Sequence, residues 1–149
     1  MPSARLAPPP LAAALAAAAL AACPGARRDP PGCDLARGPC AAAAGGLEVR
    51  LELSPRPPRA LRELELTVDA SRGGVPLEGG AVAVELSMPG MYMGENRAAL
   101  EPAGGGRHRG RAVLVRCASG RRDWVAEVEV RPAGGGEPAR VRFPFEAAE

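Results

Sequence analysis

Three of the four methionines fall within one short stretch, Ser87-Met88-Pro89-Gly90-Met91-Tyr92-Met93-Gly94-Glu95-Asn96-Arg97, the fourth being Met1. Thioethers are soft and uncharged, so they select Cu(I) over hard ions that prefer carboxylates. Pro89-Gly90 forces a turn after Met88 and so allows it to fold back. Met91 and Met93, two residues apart, share one side if the chain beyond the turn is extended. The pattern names Met91 and Met93 as core copper ligands with Met88 third, and Cys117 and His108 as further donors. Each has a plainer alternative. Flexible methionines fill the mouths of folds, a lone histidine on a strand is often structural, and Cys117 can be a disulfide partner or a buried thiol.

Other chemistries find little footing, and no enzyme is expected. The sequence has one histidine and no Gly-x-Ser-x-Gly elbow, against a serine hydrolase. Gly104-Gly105-Gly106 and Gly134-Gly135-Gly136 lack the lysine and following helix of a phosphate-binding loop. Formal charge is +2, from 19 basic and 17 acidic residues well mixed along the chain, which gives no sustained basic field for nucleic acid. Aromatics make up 3%, so no stacking platform for bases is visible. All the basic residues are arginine, with lysine, isoleucine and glutamine absent, which reads as compositional bias. The core must then be built mainly from Val, Leu and Ala.

The elements that must position the methionines read as strands. Leu47, Val49, Leu51 and Leu53 alternate with Glu48, Arg50 and Glu52, the period-two pattern of a strand with one buried face. Leu64, Leu66 and Val68 repeat it, followed by Val82, Val84 and Leu86. Arg111 to Cys117 comes next, then Trp124, Ala126, Val128 and Val130, then Val141, Phe143 and Phe145. Proline and glycine clusters break the chain between these runs. The expectation is an all-β, immunoglobulin-like antiparallel β-sandwich of about seven strands, with Trp124 facing its core. Glu127 and Glu129 alternate with apolar neighbours and read as a solvated face. Alternation puts His108, Gly110, Ala112 and Leu114 on one face and Val113, Val115 and Cys117 on the other. His108 and Cys117 should then diverge unless a bulge intervenes.

Ahead of these strands, Arg5 precedes an apolar Leu and Ala run, Leu11 to Ala22, that ends at Cys23. The run is a secretory h-region, too short to span a bilayer as a helix. Leu20-Ala21-Ala22-Cys23 resembles a bacterial lipobox, which implies a signal peptide at 1–22 and an acyl anchor on Cys23. Each buried methylene of such an anchor adds about 0.8 kcal/mol of membrane affinity. Residues 23–46 are rich in turn formers without apolar period and read as a flexible tether. Outside the cytoplasm thiols oxidise, so one disulfide is expected among Cys33, Cys40 and Cys117, with the pairing open.

The segment Met88-Pro89-Gly90-Met91-Tyr92-Met93-Gly94-Glu95-Asn96-Arg97, with Leu100, Arg107 to Gly110, Arg116-Cys117-Ala118-Ser119-Gly120 and Trp124-Val125-Ala126, resembles the FixH/YtkA-like group of extracytoplasmic domains. The resemblance covers roughly Leu47 to Glu146 within a domain of 47–149. It implies a small sandwich outside the cytoplasm, in a group associated with copper supply or oxidase maturation. Many members of the group place an aromatic where His108 stands, so no family role passes to that residue. The combined expectation is a protein of the cell envelope, lipid-anchored and facing the periplasm or exterior. It would bind or deliver Cu(I) to an envelope protein or copper-receiving oxidase. The alternative is a non-catalytic structural or protein-interaction module.

Overall fold

A computed structural model describes residues 32–148, so the signal segment and Cys23 lie outside the described residues. Nine strands follow in chain order among them: β1 (Cys40–Ala44), β2 (Leu47–Ser54), β3 (Glu63–Arg72), β4 (Val75–Pro76), β5 (Ala81–Ser87), β6 (Arg97–Gly104), β7 (Arg107–Val113), β8 (Asp123–Arg131) and β9 (Ala139–Glu146). The fold is all-β, antiparallel and sandwich-like, with no helix among the described residues.

The hydrogen-bonded order is β1-β2-β3-β7-β6-β5-β8-β9, with β4 paired to β3. Strand β6 belongs to both layers. Its first half pairs with β5, from Glu85↔Arg97 to Val82↔Leu100, and its second half pairs with β7, through Glu101↔Arg109 and Pro102↔His108. A register shift between Pro102 and Gly104 accompanies the change of partner. A strand that leaves one layer for the other turns the corner of a sandwich. At the open side β1 approaches β9, so the sheet comes close to closing into a barrel.

The alternating leucines and valines pack as their period requires. Leu51 sits opposite Val68 and Leu53 opposite Leu66, all buried, and the second layer supplies Val84, Leu86, Trp124, Val128 and Phe143. Each such side chain contributes about 1.5–3 kcal/mol through burial. Entry into β5 depends on Gly80, whose φ of 90° lies in the left-handed region. A Cβ there would also collide with the Arg131 carbonyl oxygen.

Several expectations need correction. The stretch 23–46 is not all tether: Cys40–Ala44 forms β1 against β2, and Leu35 is fully buried. The alanine run hides this strand because alanine gives no apolar contrast on which a period could register. Strand β6 falls outside the expected seven because Glu101, Pro102 and Ala103 are exposed, leaving Leu100 as its one buried side chain. The strand expected at Arg111 to Cys117 starts earlier, at Arg107, and ends at Val113; beyond it Leu114 makes only an isolated bridge to Ala60. Glu129 is not solvated. It is 4% exposed, roofed by Arg97, Arg131 and Arg140, each within 2.9 Å of a carboxylate oxygen. Arg140 stands directly opposite on β9.

Candidate metal centre

The methionine segment leaves β5 as a tight turn. Met88, buried, bridges Met91 in antiparallel register, and the Met91 N–H donates to the Met88 carbonyl at 3.2 Å. Proline at the second position and glycine with φ 69° at the third are what such a turn demands. The turn folds Met88 back towards Met91, as the sequence suggested. Beyond it Tyr92 is 90% exposed while Met91 and Met93 pack against the core, so the two thioethers lie on the inner side.

The far end of this segment is pinned to two strands, β5 and β7. The Leu86 N–H donates to the Asn96 carbonyl at 2.9 Å. The Asn96 N–H donates to Glu85 Oε1 at 3.1 Å, and Asn96 Nδ2 donates to the Val113 carbonyl at 3.0 Å. Strand β6 starts at the next residue. The methionines therefore sit on a loop held at both ends, and their positions are fixed by β5, β6 and β7.

Cys117 meets this loop from the other side. Its thiol donates to Met91 Sδ at 3.6 Å, and Ser119 Oγ lies 3.0 Å from the same sulfur. The Ser119 hydroxyl and backbone N–H, aided by the Arg121 charge, hold the Cys117 pKa below its ordinary 9.0 against the opposing effect of burial. A metal–thiolate bond runs to about 2.3 Å, so two sulfurs on one ion stand no more than about 4.6 Å apart. The observed 3.6 Å is compatible with one shared ion. Met88, at the start of the turn, and Met93, just beyond it, are the available additions.

His108 does not join this group. It is the second residue of β7, and Cys117 lies past that strand's far end. Five residues of extended chain to Val113 alone span about 17 Å. Its ring is buried, and neither nitrogen has a hydrogen-bond partner among the described residues. His108, Gly110, Ala112 and Leu114 share one face, as alternation suggested, and the structure shows that face to be the inner one. Cys117 also turns inward, because β7 has ended and the chain follows a turn closed by the Gly120 N–H on the Cys117 carbonyl at 3.1 Å. What separates His108 from Cys117 is distance along the strand rather than opposite faces.

The disulfide is Cys33–Cys40, with Cα atoms 5.7 Å apart, and Cys117 is a free, buried cysteine. A third thiol is thereby left for the methionine turn. Among the described residues no three His, Cys, Asp or Glu side chains gather as a ligand group. Donors here are sulfur from two residue types. Sequence reasoning missed Ser119, whose signal was a hydroxyl two residues after Cys117 in a Ser-Gly turn. It also missed a cavity of about 330 Å³ beside Cys117, lined by Arg116, Arg121, Arg122 and Trp124 among others. No family model matches the chain, and no curated protein or solved structure matches it either.

Proposed function

We propose that this protein is a lipid-anchored component of the cell envelope that binds Cu(I) at the methionine turn and passes it to another envelope protein or an oxidase. The observation that carries the reading is the 3.6 Å approach of Met91 Sδ to Cys117 Sγ. It joins a thioether and a thiol in a largely enclosed position, a soft sulfur pair of the kind that favours Cu(I). Met91 and Cys117 are the core ligands, with Met88 and Met93 completing the set. His108 is excluded by position. The anchor rests on Leu20-Ala21-Ala22-Cys23 alone.

Cu(I) titration against a chromophoric competitor tests the metal reading. One ion per chain is expected in the parent, and Cys117→Ser or the Met91→Leu/Met93→Leu pair should lose tight binding. The leucines conserve volume and should cost less than about 1.5 kcal/mol of stability, so loss of binding with an intact fold marks ligation. Equal affinity in parent and double variant sinks the proposal. For the anchor, Cys23→Ser should abolish acyl labelling. A mature chain starting elsewhere with an unmodified Cys23 overturns it.

A second reading, a protein-interaction module without metal, has one observation in its favour. Four of the five exposed large apolar side chains among the described residues are Leu61, Tyr92, Val113 and Val115. They gather at this end: Leu61 bonds to Leu114, Val113 to Asn96, and Val115 lines the cavity beside Cys117. Exposed apolar groups so gathered mark a contact surface. Absence of Cu(I) binding in the titration leaves this reading in place.

A further inference from the structure

We infer that the arginine-lined cavity beside Cys117 receives Cu(I) as an anionic complex of a small carboxylate-bearing thiol, which makes such a complex the incoming substrate of the site; this rests on the copper reading above. Cu(I) is not stable as a free aquo ion beside oxidants and travels on soft ligands, small thiols among them. Cys117 lines both the cavity and the sulfur cluster, since its Sγ is 3.6 Å from Met91 Sδ. A carrier seated in the cavity would therefore hold its ion next to the receiving sulfurs.

The charge of the cavity sets the sign of the carrier. Arg121 is paired with Asp123 and Arg122 with Glu146, so those two guanidiniums are largely neutralised. Arg116 makes no ion pair or hydrogen bond among the described residues, which leaves the lining with one uncompensated positive charge. The volume of about 330 Å³ suits a small peptide or amino-acid thiol and not a folded partner. Transfer is ligand exchange without redox change. Cys117 Sγ and Met91 Sδ bind Cu(I) as the carrier's sulfur leaves. The proton lost by the Cys117 thiol goes to the departing thiolate, and copper stays Cu(I).

Trp124 is the single tryptophan of the chain and lines the same cavity, so its fluorescence reports occupancy without any metal. S-methylglutathione, which carries the carboxylates but cannot bind copper through a thiol, is the probe. The full protein should give a saturable fluorescence change. The dimethyl ester of the probe, or the Arg116→Gln variant, should weaken it about tenfold at low salt. Arg116→Lys should restore most of the affinity, which separates lost charge from lost fold. In a second arm Cu(I) is supplied as its glutathione or its cationic cysteamine complex. The parent should take copper from the glutathione complex faster, and Arg116→Gln should erase the difference. No saturable response to S-methylglutathione, or equal binding of its ester, overturns the inference even where Cu(I) titration succeeds. A saturable response without Cu(I) binding refutes the copper reading and, with it, the substrate assigned here.

Discussion

Replacing Glu129 by glutamine should remove a pH-dependent part of the protein's stability. Glu129 is 4% exposed, and Arg140, then Arg131 and Arg97, hold its carboxyl well below the ordinary 4.5, at about 2, against the cost of burial. At about 1.4 kcal/mol per pKa unit, the full effect would be about 3 kcal/mol. The three guanidiniums are 36%, 61% and 43% exposed, so water screens them and about 2 kcal/mol is the expected share. The folded pKa lies below the unfolded one. The contribution is therefore complete above about pH 5 and lost as pH falls through 4.5 towards 2, with most of it gone by about pH 3. Urea unfolding of parent and Glu129→Gln at pH 7, 5, 4 and 3 measures the gap. It should be about 2 kcal/mol at pH 7 and close steadily below pH 5. A gap that persists undiminished to pH 3, or no gap at pH 7, refutes the reasoning.

Cys33→Ser/Cys40→Ser should cost about 2 kcal/mol, since the bond closes a short loop and holds Leu35 against the core. Denaturant midpoints within about 0.5 kcal/mol of the parent would contradict this. His108→Leu should leave stability unchanged or raise it by about 1 kcal/mol, because it removes two buried nitrogens that have no hydrogen-bond partner among the described residues. A loss larger than that, read by the same unfolding assay, would show that the imidazole is satisfied in solution.

The strands that one layer buries on a single face were legible because their burial alternates with their sequence, as in Leu47 to Leu53. Where burial does not follow hydropathy, the sequence is mute. Strand β1 is four alanines after a cysteine, so pairing with β2 decides its conformation and leaves no side-chain signature. Strand β6 divides its pairing between layers and buries only Leu100, so no face repeats along it. Glu129 escaped because period-two reasoning assigns a face and not what covers it. Three arginines from β6, β8 and β9 cover it, and only the tertiary fold brings them together. At the candidate site the turn at Pro89-Gly90 was readable from residue types, since proline and left-handed glycine act locally. The meeting of Met91 with Cys117 was not, because it joins residues 26 apart through a turn after β7 that alternation mistook for more strand. The pairing of Cys33 with Cys40 likewise waited on β1 to fix where Cys40 stands.

The near-closure of the sheet also constrains when this chain can fold. Strand β1 at residues 40–44 approaches β9 at 139–146, so the first and last of the described strands share one seam. Strands β3 and β7 must likewise find each other across about 40 residues of intervening chain, with Asp69 opposite Arg107. Long-range pairings of this kind fold slowly, because loop closure precedes the contacts that repay it. Until Phe143 and Phe145 arrive, Trp124 and Phe143's other core neighbours on β8 have no partner strand on that side. The open side of β8 thus has to stay free of other partners until β9 is made, and losing β9 would leave β8 as a bare edge.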